Sequence, residues 1–152
     1  MRALRGARLN CIRHAVVVGY ARRMSVIERA GGCACGAVRF TARGEPIRIA
    51  SCHCLTCRKI HGAPFATFVI YADADVTVTG PLTEWRSTPP YARCFCSQCG
   101  SRVLGREAGE TELMLGAFDE TGVFAPQYEA FVVHREPWQP PLPVPQYARS
   151  RS

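Results

Sequence analysis

Seven of the nine cysteines lie in three tight clusters, and this spacing constrains the fold more than any other feature of the chain. The clusters are Cys33-x-Cys35, Cys52-x-Cys54-x-x-Cys57 and Cys96-x-x-Cys99. A structural zinc site is usually closed by four ligands, whereas a catalytic zinc keeps three protein ligands and an open position. Seven thiolates therefore predict one closed site and one open site. A disulfide framework is the alternative, but an odd total and cysteines only two residues apart argue against it.

Composition and charge indicate one ordinary globular domain. The chain has 152 residues, of which 47% are hydrophobic and 20% charged, which is enough for a modest core. Its net charge of +7 is uneven, because residues 1–23 hold six arginines and no acid. The body from Met24 onward carries only about one net positive charge, so we expect no nucleic-acid surface there.

The basic arm, residues 1–23, has three interpretations. Translation begins at Met24, or the arm is a targeting or interaction segment, or it is an ordered extension. Its apolar run from Ala15 to Val18 is too short for a secretory core or a membrane span. We therefore predict no membrane association and a cytoplasmic location, where reduced thiols bind metal more often than they form disulfides.

Alternating apolar residues predict a mainly β, antiparallel domain. Val38, Phe40 and Ala42 alternate with polar residues, which indicates a half-buried strand. The continuous apolar run Phe65 to Tyr71 indicates a central strand covered on both faces. Further strands are predicted at Ile47 to Ile49, Val76 to Val78, Leu82 to Trp85, Leu113 to Leu115 and Tyr128 to Val133, with one short helix at Leu55 to Gly62 after the central cysteine cluster.

The same patterns set the domain limits. Residues 24–138 are predicted to form the zinc-binding domain. Five prolines between Pro137 and Pro145 are expected to end regular structure and to leave a proline-rich tail at residues 139–152. This tail is either a solvated end, a strap across the domain, or a ligand for a proline-reading module.

Spacing alone permits several allotments of the thiolates, because Cys94 extends the last cluster to a second C-x-C-x-x-C. The segment from Cys96 to Gly100 has the form of a zinc knuckle, in which glycine after C-x-x-C lets backbone N–H groups point at the sulfurs. Cys33 and Cys35 are also flanked by glycine. These two pairs are therefore expected to close one site, with Cys94 as a small buried apolar residue.

Three stretches resemble the glutathione-dependent formaldehyde-activating enzyme family, which includes a centromere-associated branch. They are GGCACGAVRF at 31–40, CHCLTCRKIHGAPF at 52–65 and FCSQCGS at 95–101. The resemblance runs from about residue 29 to 138. It implies a mainly β fold of several small coiled antiparallel sheets stapled by zinc, with two Zn²⁺ per chain. It assigns a structural zinc to Cys33, Cys35, Cys96 and Cys99, and a second zinc to Cys52, Cys54 and Cys57.

The resemblance also implies a carbon–sulfur lyase of the S-(hydroxymethyl)glutathione synthase type. Its partners would be a small thiol such as glutathione and an aldehyde such as formaldehyde. A three-thiolate zinc carries a formal charge of −1 and is a weak Lewis acid, so binding and deprotonating a thiol is the favoured chemistry. The alternative is a zinc-stabilised binding module whose basic arm contacts nucleic acid or an acidic partner.

Four polar residues beside the central cluster are candidates for substrate chemistry. His53 and His61 are predicted either to move protons or to make structural hydrogen bonds to the metal surroundings. Arg58 and Lys59 are predicted to offset the thiolate charge or to hold a substrate carboxylate, the alternative being an exposed helical pair.

Overall fold

The computed structural model describes residues 26–88 and 90–151. The basic arm, the predicted start at Met24 and the interaction role of the arm lie outside these residues. Within the described residues, no helix is both long enough and apolar enough to cross a membrane.

The described residues form eleven strands and one short α-helix, which confirms the mainly β prediction. The order of elements is β1 (Glu28–Gly32), β2 (Arg39–Arg43), β3 (Arg48–Cys52), α1 (Leu55–His61), β4 (Ala66–Ala72), β5 (Val76–Thr79), β6 (Leu82–Thr88), β7 (Tyr91–Cys96), β8 (Arg102–Glu107), β9 (Glu110–Met114), β10 (Tyr128–Ala130) and β11 (Gln146–Tyr147). Single 3₁₀ turns lie at Asp73–Asp75, Leu115–Ala117 and Val132–His134.

The strands form a three-stranded and an eight-stranded sheet. The smaller sheet has the order β1-β2-β5 and the larger one the order β11-β10-β3-β4-β9-β8-β7-β6. Pairing is antiparallel as predicted, except that β10 lies parallel to both β3 and β11. The larger sheet reaches eight strands because β10 and β11 extend it at the edge formed by β3.

Side-chain alternation places the core between the two sheets. Val38, Phe40 and Ala42 are buried, as their alternation predicts. They pack with residues such as Val69 and Leu113 of the larger sheet. β4 is a central strand buried on both faces, as predicted, because it carries a second apolar cluster of Ala66, Phe68 and Ile70 with Met114 of β9.

Two predicted strands end earlier than their apolar pattern indicates. β9 ends at Met114, and Leu115 begins a 3₁₀ turn. β10 ends at Ala130 because Phe131 has a φ of 57°, a left-handed conformation that non-glycine residues rarely adopt. An apolar pattern reports burial and cannot reveal such a turn.

The proline-rich tail folds back as a strap, one of the three predicted alternatives. The expectation that the prolines end regular structure is wrong at Gln146 and Tyr147, which pair in parallel with Glu129 and Ala130. Proline lacks an N–H donor, but it can precede an edge strand. Beyond the paired residues, the Phe131 amide donates to the Arg149 carbonyl at 2.9 Å.

Candidate metal centres and adjoining pocket

The four-cysteine cluster joins the ends of two distant hairpins. Cys33 and Cys35 lie in the connection between β1 and β2, while Cys96 ends β7 and Cys99 lies in the turn before β8. All four sulfurs lie within 4.8 Å of one another. The Sγ–Sγ distances are 3.5 Å for Cys33 to Cys35 and 3.8 Å for Cys35 to Cys96. Tetrahedral zinc with Zn–S bonds of about 2.3 Å requires sulfurs about 3.8 Å apart, so the cluster fits a closed zinc site.

Hydrogen bonds from the two turns lower the pKa of two thiols in this cluster, Cys33 and Cys99. The Val38 amide donates to the Cys33 sulfur at 3.2 Å and is the main reason that the pKa of Cys33 is lowered. Hydrogen bonding to Ser101 is the largest cause that lowers the pKa of Cys99 to about 5. The Ser101 hydroxyl also accepts a bond from the Ala34 amide at 3.1 Å, which links the two turns directly.

The three-cysteine cluster comes from a single short segment. Cys52 ends β3, Cys54 precedes α1, and Cys57 lies in the first turn of α1. Their sulfurs also lie within 4.8 Å of one another. Among the described residues, no fourth cysteine, histidine or carboxylate belongs to this group. The donor set fits a metal ion with three protein ligands and an open position.

Local contacts favour a thiolate at Cys54. Hydrogen bonds from the Cys52 and Cys57 thiols are the main causes that lower the pKa of Cys54. Burial acts in the opposite direction, and backbone amides lower the pKa further. One of these is the Cys57 amide, which donates to the Cys54 sulfur at 3.3 Å. Cys54 therefore caps α1 through its sulfur, a position usually taken by an oxygen side chain.

His53 points away from solvent and forms a buried hydrogen bond. Its ring is fully buried, and its Nε2 atom lies 2.8 Å from the Glu129 carboxylate. The ring also lies 5.4 Å from the ring of Phe65. Sequence reasoning missed Glu129, because no motif connects residues that are 76 positions apart.

A pocket of about 740 Å³ is lined by Cys33 and Cys99 of the four-cysteine cluster. Ala66 and Met114 also line it, and they belong to the apolar cluster against which Cys52 and Cys57 pack. The two cysteine clusters therefore share neighbours at this pocket. Its polar lining includes His61, Thr67, Ser101, Arg102 and Asp119.

Arg102 is the cation of this pocket that sequence reasoning missed. Its guanidinium donates to the Cys94 carbonyl at 2.9 Å and to the Tyr91 hydroxyl at 3.3 Å. Its Nε atom is buried without a hydrogen-bond partner among the described residues. Burial lowers its pKa, but a guanidinium stays charged near neutral pH. Arg102 therefore gives the pocket a positive charge.

His61 is predicted to be neutral near pH 7. Burial is the main cause that lowers the pKa of His61 to about 4, followed by the charges of Arg102 and Arg93, whereas Cys54 raises it. A neutral imidazole in the pocket wall can accept or donate one proton.

The depressed pKa of His61 predicts a loss of stability in acid. The unfolded chain takes up this proton near pH 6.5 and the folded chain only near pH 4, so stability falls as the pH drops through that interval. After discounting for partial exposure, we expect wild type to lose about 1 kcal/mol more than His61→Gln between pH 7 and pH 4.5. Urea unfolding of both proteins at the two pH values measures this difference. Equal losses would contradict the depressed pKa.

Arg58 and Lys59 line a separate groove of about 650 Å³ together with Leu55 and Trp138. The Arg58 guanidinium pairs with the Glu136 carboxylate and donates to the His134 carbonyl at 2.8 Å. Arg58 is therefore engaged by the segment after β10, and Lys59 is exposed. Their role towards substrate stays a prediction.

Cys94 is fully buried and belongs to neither cysteine cluster. Its sulfur lies 3.9 Å from the Glu84 carboxylate, and burial is the main cause that raises its pKa. All eight cysteines of the described residues carry free thiols, so no disulfide competes with metal binding there.

Comparisons with known proteins agree with this arrangement. The family model for the glutathione-dependent formaldehyde-activating enzyme matches residues 28–134. A Schizosaccharomyces pombe protein named as an uncharacterized lyase is 31% identical over 76 residues, which are 50% of this chain and 56% of that protein. The chain thus spans little more than half the length of this relative.

A solved structure of a Rhodobacter sphaeroides protein has a similar fold. Its TM-score is 0.50 at 23% sequence identity, and the match covers 62% of this chain and 90% of that chain. At this identity the likeness concerns the fold alone.

Proposed function

Because the chain belongs to the glutathione-dependent formaldehyde-activating enzyme family, we propose that it is a zinc-dependent carbon–sulfur lyase acting on adducts of a small thiol and an aldehyde. The thiol would be glutathione-like and the aldehyde one such as formaldehyde. The observation that carries the proposal is a group of three thiols with no fourth ligand among the described residues, whose apolar neighbours Ala66 and Met114 also line a pocket of about 740 Å³. The lyase name of the S. pombe relative supports the same reaction class.

The reaction moves one proton and forms one bond. The thiol loses its proton, its sulfur forms the carbon–sulfur bond with the carbonyl carbon, and the carbonyl oxygen becomes a hydroxyl. In the reverse direction the carbon–sulfur bond breaks and the aldehyde is released. Zinc held by Cys52, Cys54 and Cys57 would bind the thiol and lower its pKa.

The pocket residues would orient the adduct beside that site. His61, neutral near pH 7, is placed to exchange the proton that leaves the thiol or enters the hydroxyl. Arg102 offers a positive charge to a carboxylate of a peptide-like thiol. We favour Arg102 over Arg58 for this contact because the Arg102 guanidinium donates to neutral acceptors, whereas the Arg58 guanidinium already pairs with the Glu136 carboxylate. Lys59 remains a second candidate at the neighbouring groove.

The direct test is the exchange rate between free and adduct aldehyde. Full-length protein loaded with Zn²⁺ is mixed with glutathione and ¹³C-formaldehyde, and exchange is measured by NMR. We expect faster exchange with glutathione than without protein, and a smaller acceleration with 2-mercaptoethanol, which lacks the carboxylates that Arg102 would bind. Lys59→Gln should keep the preference for glutathione. Protein holding two zinc ions that neither binds glutathione nor changes exchange with any small aldehyde would overturn the proposed function.

A further inference from the structure

A buried hydrogen bond between His53 and Glu129 lies next to the three-cysteine cluster in the chain and has no part in the proposed reaction. The side chains of His53 and Glu129 are 0% and 1% exposed, and their Nε2 and Oε1 atoms are 2.8 Å apart. His53 is the residue between Cys52 and Cys54. Its backbone amide also donates to the Ala130 carbonyl at 3.0 Å. Both the ring and the backbone of His53 are therefore fixed to β10.

The second oxygen of Glu129 is held by the C-terminal strap, defined as residues 142–149. The Leu142 amide donates to Glu129 Oε2 at 2.9 Å, and the Gln146 side-chain amide donates to it at 2.7 Å. Arg135 adds a longer contact of 3.4 Å from its guanidinium. The strap also binds the backbone of Glu129, because the Glu129 amide donates to the Pro145 carbonyl at 3.0 Å.

These contacts fix the proton on one side of the His53 ring. Burial acts to raise the pKa of Glu129, but hydrogen bonds from His53, Gln146 and the Leu142 amide outweigh it and lower that pKa. An ionised carboxylate accepts hydrogen bonds only, so His53 Nε2 carries the proton. The other ring nitrogen, Nδ1, is buried without a hydrogen-bond partner among the described residues. The strap thereby holds the carboxylate that fixes the position of the His53 ring.

We propose that the strap, through Glu129 and His53, positions the segment Cys52 to Cys54 so that the three-cysteine cluster retains its metal ion. The inference rests on the proposed metal at that cluster. Three thiolates from one short segment repel one another, and two of them flank His53. Fixing His53 limits the conformations in which they separate. Glu129 is thus a positioning residue, and the strap that holds it lies beyond residue 134, where the family match ends.

The arrangement has the form of an outer-shell support for metal ligands. Such partners orient the ligand side chains, and their mutation typically costs about 10- to 100-fold in metal affinity. Here the support reaches the ligands through the backbone on both sides of His53. The four-cysteine cluster is built by other turns, and within the part of the chain that the structure describes the Glu129 carboxylate makes its hydrogen bonds elsewhere. The inference therefore predicts a selective loss at one of two sites.

The test is metal retention in Glu129→Gln and Gln146→Ala. Full-length proteins are loaded with Zn²⁺, and release of each ion to a chromogenic chelator is followed over time. We expect one ion to bind about 10- to 100-fold more weakly in Glu129→Gln, with a smaller effect in Gln146→Ala, while the second ion stays as in wild type. Glu136→Gln is the matched control, because its carboxylate pairs with Arg58 and makes no contact with His53.

A spectroscopic readout separates positioning from general destabilisation. Loading with Co²⁺ gives sulfur-to-metal charge-transfer bands, and only the component assigned by Cys54→Ala should weaken in Glu129→Gln. If Glu129→Gln does not fold, Gln146→Ala supplies the test, because Gln146 is exposed and its loss leaves the core intact.

The outcomes distinguish this inference from the proposed function. If wild type binds two ions and the folded variants release both ions as wild type does, the inference alone is overturned. Wild type with two ions and no action on any thiol or aldehyde overturns the proposed function alone. Wild type that holds a single ion overturns both.

Discussion

Cys96→Ala is expected to lower the melting temperature of the protein by more than about 10 °C. Cys96 is fully buried at the end of β7 and joins the hairpin that carries Cys33 and Cys35. Structural zinc sites contribute an apparent binding free energy of about 10–16 kcal/mol in small zinc-binding peptides, and binding of the metal stabilises the fold. Losing one of four ligands should remove several kcal/mol of that contribution, by order of magnitude.

Cys94→Ala is the matched control for this prediction. Cys94 lies two residues earlier on the same strand, is equally buried and belongs to neither cluster. Its replacement should cost only about 1 kcal/mol, the usual price of a small cavity. Thermal unfolding followed by circular dichroism, with and without a chelator, measures both variants. Similar melting temperatures for the two variants would show that Cys96 holds no metal.

Cys54→Ala is expected to reduce zinc from about two ions per chain to about one and to slow the proposed exchange reaction more than about 100-fold. The sulfur of Cys54 belongs to the three-cysteine cluster, and local hydrogen bonds lower its pKa. Two remaining thiolates do not suffice for a stable site with three protein ligands. The fold should survive, because the four-cysteine cluster is independent of Cys54. Zinc analysis and ¹³C exchange measurements check both parts.

Cys54→Ser separates the ligand from the helix cap. The Cys54 sulfur also accepts a bond from the Cys57 amide, so alanine removes a cap worth about 1 kcal/mol as well as a ligand. Serine restores the capping oxygen but not the thiolate. We expect Cys54→Ser to regain stability and to remain low in zinc and activity. Recovery of activity with the cap alone would argue against a metal at this cluster.

The strand pattern was predictable wherever burial follows a simple period. Val38 to Ala42 alternates because one side of β2 faces the core, and the run in β4 is continuous because both of its faces are covered. β7 and β8 were harder to predict. The buried positions of β7 carry Ala92, Cys94 and Cys96, while β8 adds Gly105 to its buried Val103 and Leu104, and arginines occupy other positions of both strands. Alanine, cysteine, glycine and arginine are not typical strand residues, and they form strands here because they pack against neighbouring strands.

The cysteine groups were also predictable, because metal ligands follow spacing rules that are local in the chain. The structure brings the expected four sulfurs together and the expected three together. It does not bring Arg58 to the pocket, since the Glu136 carboxylate engages that guanidinium. Sequence gave no sign of this ion pair, because surface charges have many partners within reach.

The sequence by itself determined that seven clustered cysteines leave three after one closed site, and the glycine-flanked motifs favoured one allotment over those that include Cys94. Only the tertiary structure decided what surrounds them. Glu129 meets His53 across 76 residues, Arg102 reaches the pocket from another strand, and the strap returns to β10. These contacts depend on which strands pair and in which register. No local sequence pattern specifies that pairing, because it brings together residues that are far apart in the chain.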